Sequence, residues 1–568
     1  MAIDRESIIL LPTPRRMRQT AGQSHARALE RIDPTVTRSQ GYLLSITPES
    51  CRIVGHDAAA VFYGRQTLAQ LRRQFPASLP CLEIEDWPDF PTRGVMLDIS
   101  RDKVPTMPTL FSLVDMLAGW KINQLQLYTE HTFAYCGHEQ VWQDASPMTG
   151  DEVRQLDQYC KSRFIELVPN QNSFGHMERW LKHPRYLPLA EAPQGSDTPW
   201  GYRWEGPFSL CPIDPGSVEF LADLYSQLLP NFSSGLFNVG CDETFDLGQG
   251  RSKDECRRRG VHRVYLDFLL RVSELVARHG RRMMFWGDVI LKDPQLIGEL
   301  PKNVIALNWG YEADHPFDAE ARRFGESGVE FYVCPGTSSW CSIAGRTDNM
   351  LANQRAAAEA GLKHGAVGYL NTDWGDHGHL QYLPISFAGL ATGAALSWCL
   401  QSNRDLPLER ALDLHAFGDE ASVMGRAACE LGNVYKAVGK RVPNRSALFR
   451  ILVPSSAHGD SMEGITREGL QRAEAAIESA MRNVHLAKMS REDAELIKGE
   501  FANAAAMLRF ACREGRWKLD PSREKQEVLS YELERIAAEH RRCWLERNRP
   551  GGLEDGVRRL GVASFAPT

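Results

Sequence analysis

At 568 residues the chain is too long for one ordinary domain, and 43% hydrophobic with 24% charged residues excludes a disordered or collagen-like protein. A net charge of −6 excludes a protein built mainly to hold nucleic acid, whose phosphates need a basic face. Met1 to Ser7 mix acids with apolar residues and lead into no long apolar core, so no secretory leader is expected. No run approaches the about 18 uninterrupted apolar residues of a membrane span. The 13 cysteines are odd in number and contain no Cys-x-x-Cys pair. They read as reduced, buried thiols of a cytoplasmic protein, not as a disulfide framework or a zinc ribbon.

Residues 1–90 read as a small α/β unit. Gly41 to Thr47 and Cys51 to Val54 alternate as paired strands do, and Ala58 to Phe75 places Val61, Leu68, Leu71 and Phe75 at helical spacing. Asp86 to Pro91 carries two prolines and breaks regular structure.

From residue 91 to 404 short apolar runs alternate with longer helical patterns. The runs begin at Gly94, Gln124, Phe164, Leu236, Met283, Val304, Val329 and Ala366. Between them, Tyr265 to Arg278 lines up Leu266, Leu269, Leu270, Val272 and Val276 near one stripe. Strands alternating with helices imply a parallel sheet, and eight such units predict a closed (β/α)₈ TIM barrel. Residues 405–568 lose the strand signal. Thr466 to Arg513 and Glu524 to Arg547 are rich in Ala, Leu, Glu and Arg, which predicts a mainly helical region that covers the barrel or joins two copies as a homodimer. The fold class expected is α/β: a barrel with a small N-terminal α/β domain and a helical C-terminal region.

Barrel enzymes carry their chemistry at the C-terminal ends of the strands. Those ends offer Asp98, Ser100, Arg101 and Asp102; then Tyr128, Glu130 and His131; then Asn170, Asn172 and His176. They continue with Asp242 and Glu243, Trp286 and Asp288, Trp309 and Tyr311, Cys334 leading to Trp340, and Asp373, Trp374 and Asp376. Carboxylates, one Arg and several Trp suit a sugar: aromatic walls take ring faces, charged groups take hydroxyls, and one acid protonates a leaving oxygen. The sharpest feature is Asn238-Val-Gly-Cys-Asp-Glu243, two adjacent acids directly after an apolar strand. Within a strand neighbours face opposite ways, so both reach one pocket only where the pleat relaxes.

Asn238 to Glu243 resembles the signature of glycoside hydrolase family 20, the β-N-acetylhexosaminidases. Leu97 to Arg101 resembles that family's first-strand motif, Ser173-Phe-Gly-His176 its Pro-Gly-His segment, and Phe62 to Leu68 the end of the small domain before its barrel. Trp286, Trp309 and Trp374-Gly-Asp376 resemble its tryptophan positions on strands five, six and eight. The likeness spans about residues 40 to 400, and Phe174 in place of the usual proline marks a divergent branch. The resemblance implies an exo-acting, retaining enzyme with no cofactor and no metal, acting on oligosaccharides or glycoconjugates with a terminal β-linked N-acetylglucosamine or N-acetylgalactosamine. It implies substrate-assisted catalysis, in which the acetamido oxygen attacks the anomeric carbon. Glu243 is then general acid and base, and Asp242 orients the acetamide. Trp286, Trp309 and Trp374 wall the pocket, and Arg101 and Asp376 hold hydroxyls. Glu130 stands where the family usually has Asp, which implies a relay Glu130–His176–Glu243. Tyr311 and Tyr332 both compete for the acetamide carbonyl. Three other readings stay open. One is a conventional two-carboxylate exo-glycosidase. Another is a metal-dependent barrel hydrolase using the ligand-rich Asp373 to His379. The last is a sugar-binding protein without catalysis.

Overall fold

The computed structural model describes residues 8–455, 459–521 and 526–561. Met1 to Ser7, read above for a leader, lie outside the described residues, as do Glu524 and Lys525 at the start of the last helical run.

The N-terminal unit is a five-stranded sheet of β1 (Arg16–Ser24), β2 (Ala28–Ile32), β3 (Tyr42–Ile46), β4 (Cys51–Gly55) and β5 (Leu79–Asp86), in the order β1-β5-β3-β4-β2. One helix, Ala58–Gln74, packs on it; the Asp57 side chain caps it by accepting from Ala60 N at 2.8 Å. The alternation read in the sequence is the burial pattern: Tyr42, Leu44 and Ile46 face the helix, and Leu43 between them is exposed. The flanking strands β1 and β2 were not predicted. Both are largely solvent-exposed, so their residues carry no apolar alternation to read.

Eight parallel strands follow in the predicted places: β6 (Thr92–Asp98), β7 (Gln124–Tyr128), β8 (Glu166–Val168), then β11 (Leu236–Asn238), β12 (Arg282–Trp286), β13 (Ile305–Trp309), β14 (Glu330–Cys334) and β15 (Gly368–Asp373). Between the third and fourth lies a two-stranded ribbon, β9 (Ser196–Asp197) and β10 (Arg203–Trp204). Backbone bonds close the barrel at the seam: Asn238 N donates to Pro169 O at 2.9 Å and Gln171 N to Asn238 O at 3.0 Å. Inside, Gln126 Oε1 accepts from Asn170 Nδ2 at 3.1 Å and Asn238 Nδ2 at 2.9 Å, which ties the same seam through side chains. Helices surround the barrel. Val261–Arg278, for example, buries Val264, Leu266, Leu269, Val272 and Val276.

The C-terminal region is helical, with Arg467–Leu486, Ala494–Leu519, Gln526–Arg547 and Leu553–Arg559 its last elements. The helical run divides near Met489, where Ser490 N donates to Gly418 O at 2.9 Å and Met489 bridges Asp419. The segment after Arg547 grips the loop that leaves β6: Thr106 N donates to Arg547 O at 2.9 Å and Arg549 N to Val104 O at 2.8 Å. Gly552 is required there. Its φ is +77°, and a Cβ would stand 1.8 Å from Asp102 O.

The N-terminal sheet and the barrel meet at a buried ion pair. Lys121 Nζ lies 3.0 Å from Asp86 Oδ2, and both side chains are essentially inaccessible. Tyr42 OH and Trp398 Nε1 each donate to the Asp86 carboxylate at 2.8 Å and Arg15 N donates at 2.9 Å, so with Lys121 its lone pairs are satisfied by four donors. Burial pulls the Lys121 pKa down, and Asp86 opposes it. Removing one partner of such a pair strands the other without water. Asp86→Ala should therefore lower unfolding stability by about 3–5 kcal/mol, measured as a fall in the first denaturant-induced transition; a change under ~1 kcal/mol would contradict a structural role for this pair.

Candidate active site

The C-terminal ends of the barrel strands converge on one pocket. After β11 the chain must turn two adjacent carboxylates inward, and it does so with left-handed backbone: Gly240 and Cys241 both have φ +67°, and Glu243 has φ +49°. That conformation costs free energy for a non-glycine residue and persists only where the surroundings impose it. Gly240 could not be larger, since a Cβ would meet Asn172 Oδ1 at 2.4 Å; at Gly175 a Cβ would meet Asp242 O, also at 2.4 Å.

The result is that Asp242 Oδ2 and Glu243 Oε2 both lie 3.4 Å from His176 Nε2. The separations exceed ordinary hydrogen-bond length, and the contact is an electrostatic clamp. The two acids differ in setting. Asp242 is buried, with Oδ1 accepting from Asn172 Nδ2 at 3.2 Å, whereas the Glu243 side chain is 30% exposed. Burial favours the neutral form of Asp242, but His176 outweighs it and holds the carboxyl below its ordinary range. Burial likewise disfavours charge on His176, and Asp242 and Glu243 overcome it, holding the imidazole well above its ordinary pKa.

Arg101 occupies the centre of the site. Its Nη1 lies 3.1 Å from Asp98 Oδ2, its Nε 3.3 Å from Glu130 Oε1 and its Nη2 3.4 Å from His176 Nδ1. The guanidinium carbon lies 4.6 Å from the Tyr128 ring centroid and 4.9 Å from the Trp374 ring centroid. Asp376 is a further charge acting on it. Asp98 is held in turn by the amides of Ser100, Arg101 and Gly375, at 2.9, 3.0 and 3.0 Å.

The expected direct relay from Glu130 to His176 is not made, because Arg101 stands between them. Glu130 instead accepts from Tyr128 OH at 2.8 Å; that hydroxyl accepts from Asn172 Nδ2 at 3.1 Å, and Asn172 reaches Asp242. Burial pushes the Glu130 carboxyl up to about 7.

The predicted tryptophans meet at the same end. Trp286 and Trp374 are 6.0 Å apart between ring centroids, Trp309 stacks on Tyr311 at 5.1 Å, and Trp340 closes edge-on against Tyr311 at 5.0 Å. Trp374 Nε1 donates to Tyr311 OH at 2.7 Å, which puts that hydroxyl on the pocket wall. Tyr332 is elsewhere: it lies against Thr92 and Gln124, at the opposite, N-terminal end of the strands. The indole N–H groups of Trp286 and Trp309 are buried and find no partner among the described residues.

Asp102 and His131 do not belong to the pocket. Asp102 pairs with Arg179 at 2.6 Å and lies 3.9 Å from Arg559, and buried His131 is held neutral by desolvation and by Arg179. The ligand-rich stretch from Asp373 to His379 does not converge on one point. Asp373 accepts from Thr337 and Ser339 at 2.7 and 2.6 Å, while Asp376 faces Arg101. Among the described residues, His176, Asp242 and Glu243 do bring three ligand-type atoms within 4.8 Å of one another. The Arg101 guanidinium lies at the other ring nitrogen of that imidazole, with Nη2 3.4 Å from Nδ1.

Asp288, two residues past the end of β12, joins the acid pair. Its Oδ2 accepts from Glu243 N at 3.2 Å, and its Oδ1 is buried without a partner among the described residues. Burial, reinforced by Asp242 and Glu243, pushes its carboxyl up to about 7.

A family model described as "Glycosyl hydrolase family 20, catalytic domain" matches residues 90–358, and one described as "Glycosyl hydrolase family 20, domain 2" matches residues 8–87. A beta-hexosaminidase of Akkermansia muciniphila is 26% identical over 309 residues, covering 49% of this chain and 62% of that protein. Hexosaminidase D of Bos taurus is 25% identical over 234 residues, covering 39% and 63%. The matches thus span less than two thirds of these relatives. Among solved structures, a Flavobacterium johnsoniae chitobiase superposes with TM-score 0.60 at 15% identity, covering 94% of this chain and 96% of that one. A Vibrio harveyi exo beta-N-acetylglucosaminidase in complex with N-acetylglucosamine gives 0.58 at 16% identity, covering 70% and 75%.

The raised pKa of Asp288 has a stability consequence. A carboxyl near 7 when folded and about 3.9 when unfolded keeps its proton longer in the native state. Its contribution is fully present below about pH 4 and is lost as pH rises toward about 7. Asp288→Asn removes that loss. Its melting temperature relative to the unmodified protein should climb between pH 5 and 7.5 and then level off; a constant difference across that range would show that Asp288 does not titrate there.

Proposed function

Because the chain belongs to glycosyl hydrolase family 20, we propose that it is an exo-acting, retaining β-N-acetylhexosaminidase that removes terminal β-linked N-acetylglucosamine or N-acetylgalactosamine. The observation that carries this reading is the placement of Asp242 and Glu243 on one imidazole, beside Arg101 and an aromatic wall.

The chemistry follows from the unequal settings of the two acids. Half-exposed Glu243 donates its proton to the glycosidic oxygen as that bond breaks. The substrate's acetamide oxygen attacks the anomeric carbon and closes an oxazolinium ring, which is fast because the reacting groups are already joined. Buried, anionic Asp242 accepts the acetamide N–H and faces the positive charge that develops. Glu243, now ionised, takes a proton from the water that reopens the ring. His176 keeps both carboxyls in place, and Arg101 and Asp376 hold ring hydroxyls. Trp286, Trp309 and Trp374 press the acetamide under the sugar, and the Tyr311 hydroxyl donates to its carbonyl; the contact of that hydroxyl with Trp374 supports this role.

Thirteen free cysteines, all but Cys136 buried, support work in a reducing, cytoplasmic compartment on imported oligosaccharides or glycoconjugates. Exposed Val528, Tyr531 and Leu545 on the helix Gln526–Arg547 support a homodimer contact there.

The test is a panel of β-linked chromogenic glycosides. Turnover should appear with N-acetylglucosamine or N-acetylgalactosamine, be nearly absent with glucose, and survive chelation of divalent ions. Glu243→Gln should lower kcat by about 10²–10⁴ on poor leaving groups, and by less on activated ones. Equal rates on acetamido and plain hexosides would reject the assisted mechanism.

A further inference from the structure

The C-terminal region reaches the aromatic wall of the pocket at one residue that the chemistry above does not use. Asn444 bridges the loop after β13, which carries Tyr311, and the loop after β14, which carries Trp340. Its backbone N donates at 2.8 Å to Glu312 Oε1, next to Tyr311, and its side-chain Oδ1 accepts from Trp340 Nε1 at 3.0 Å. Glu312 is fixed in turn by Arg346 at 2.8 Å and Arg441 at 3.4 Å, and Ser446 N donates to Cys341 O at 2.9 Å. Asn444 has φ +57°, a left-handed conformation that asparagine tolerates better than most residues and that these contacts impose. It lies beyond residue 358, where the match to the family's catalytic domain ends.

What Asn444 holds is the back of that wall. Trp340 is fully buried and presses edge-on against Tyr311 at 5.0 Å, while Trp309 stacks on Tyr311 at 5.1 Å with ring planes 23° apart. The space behind them is full: a Cβ at Gly336 would stand 2.4 Å from the Trp340 ring and 3.0 Å from the Tyr311 ring. In an interior packed this closely one ring moves only if its neighbour does. Tyr311 therefore keeps its place as long as Trp340 keeps its own. Trp340 cannot swing away without leaving its indole N–H buried and unpaired, which is costly. The hydroxyl held in this way is the one that the proposed mechanism sets on the acetamide carbonyl.

We infer that Asn444 is a positioning residue that, through Trp340 and Tyr311, sets the length of the N-acyl group the pocket accepts: acetyl is taken and longer acyl groups are rejected. The inference rests on the hexosaminidase reading and adds a specificity element that the C-terminal region supplies. An N-propionyl group is one methylene longer than acetyl. To admit it Tyr311 must give way, or the carbonyl oxygen must leave the line of attack on the anomeric carbon. Either way the reacting atoms lose the alignment on which an intramolecular attack depends. One methylene in a closed pocket is worth about 10–200-fold in specificity.

The experiment compares chromogenic β-glycosides that carry an N-acetyl or an N-propionyl group on the same hexosamine and the same leaving group. Asn444→Gly removes the acceptor, and glycine adopts the left-handed backbone without steric cost, so the fold is kept. Asn444→Asp keeps an acceptor oxygen in the same place. The unmodified protein should favour the N-acetyl substrate by about 10–200-fold in kcat/KM. In Asn444→Gly that preference should shrink about tenfold, mostly through a lower kcat on the N-acetyl substrate, and Asn444→Asp should restore it. Three results overturn the inference and leave the hexosaminidase reading intact: no preference in the unmodified protein, an unchanged preference in Asn444→Gly, or an equal loss on both substrates, as general damage to the fold would give. An unmodified protein that turns over neither substrate overturns that reading and this inference with it.

Discussion

Two neighbouring carboxylates within 3.4 Å of one imidazole nitrogen make the arrangement on which the rest of the site depends. An extended strand cannot supply it, because successive side chains diverge. The chain leaves β11 through left-handed residues to make it, and left-handed backbone at Cys241 and Glu243 is held by tight surroundings. Asn172 fills the space that Gly240 leaves, Gly175 lets the His176 loop approach the Asp242 carbonyl, and Tyr265 OH donates to the Cys241 carbonyl at 2.8 Å. The seam that joins β8 to β11 brings the His176 loop and the acid pair side by side.

Charge balance extends that arrangement outward. Asp98, Glu130, Asp242, Glu243, Asp288 and Asp376 crowd one end of the barrel, and Arg101 and His176 are the cations among them. Asp242, beside His176, holds its charge; Asp288, facing two acids, and Glu130, where burial outweighs Arg101, are both pushed up to about 7. Arg101 is thus the counter-charge that lets the acids coexist. The grip of the C-terminal segment on the loop after β6 fixes the backbone next to Arg101, and Asn444 of the same region accepts from Trp340 Nε1 at 3.0 Å, so the helical region supports the site from two sides.

Much of this was legible in the sequence, for physical reasons. Strands buried on both faces appear as apolar runs, so β6 to β8 and β11 to β15 could be counted. The exposed strands β1 and β2 left no such trace. Asp242 and Glu243 were visible because they end a strand, and His176 and Arg101 because short motifs surround them. The partner of Glu130 was not visible, since which group a long side chain reaches depends on what else fills the space, and Arg101 fills it. Asp288 acts through a hydrogen bond from Glu243 N, and Asn172 through bonds to Tyr128 OH and Asp242 Oδ1; no local pattern announces these partners. Tyr311 could have been chosen over Tyr332 from position alone: it lies just past the end of β13, while Tyr332 sits within β14.

The central claim is that Asp242 serves the substrate's own acetamide and forms no bond to the sugar. The most direct measurement is inhibition by a thiazoline mimic of the cyclised intermediate, compared between the unmodified protein and Asp242→Asn. An interaction made only near the transition state is lost from its analogue and spared in the ground state. The account predicts tight binding of the thiazoline, weakened far more by the substitution than binding of the free product sugar, and no glycosyl adduct on Asp242 by mass spectrometry. Indifference to the thiazoline, or a trapped adduct on Asp242, would contradict it and assign the covalent two-carboxylate mechanism instead.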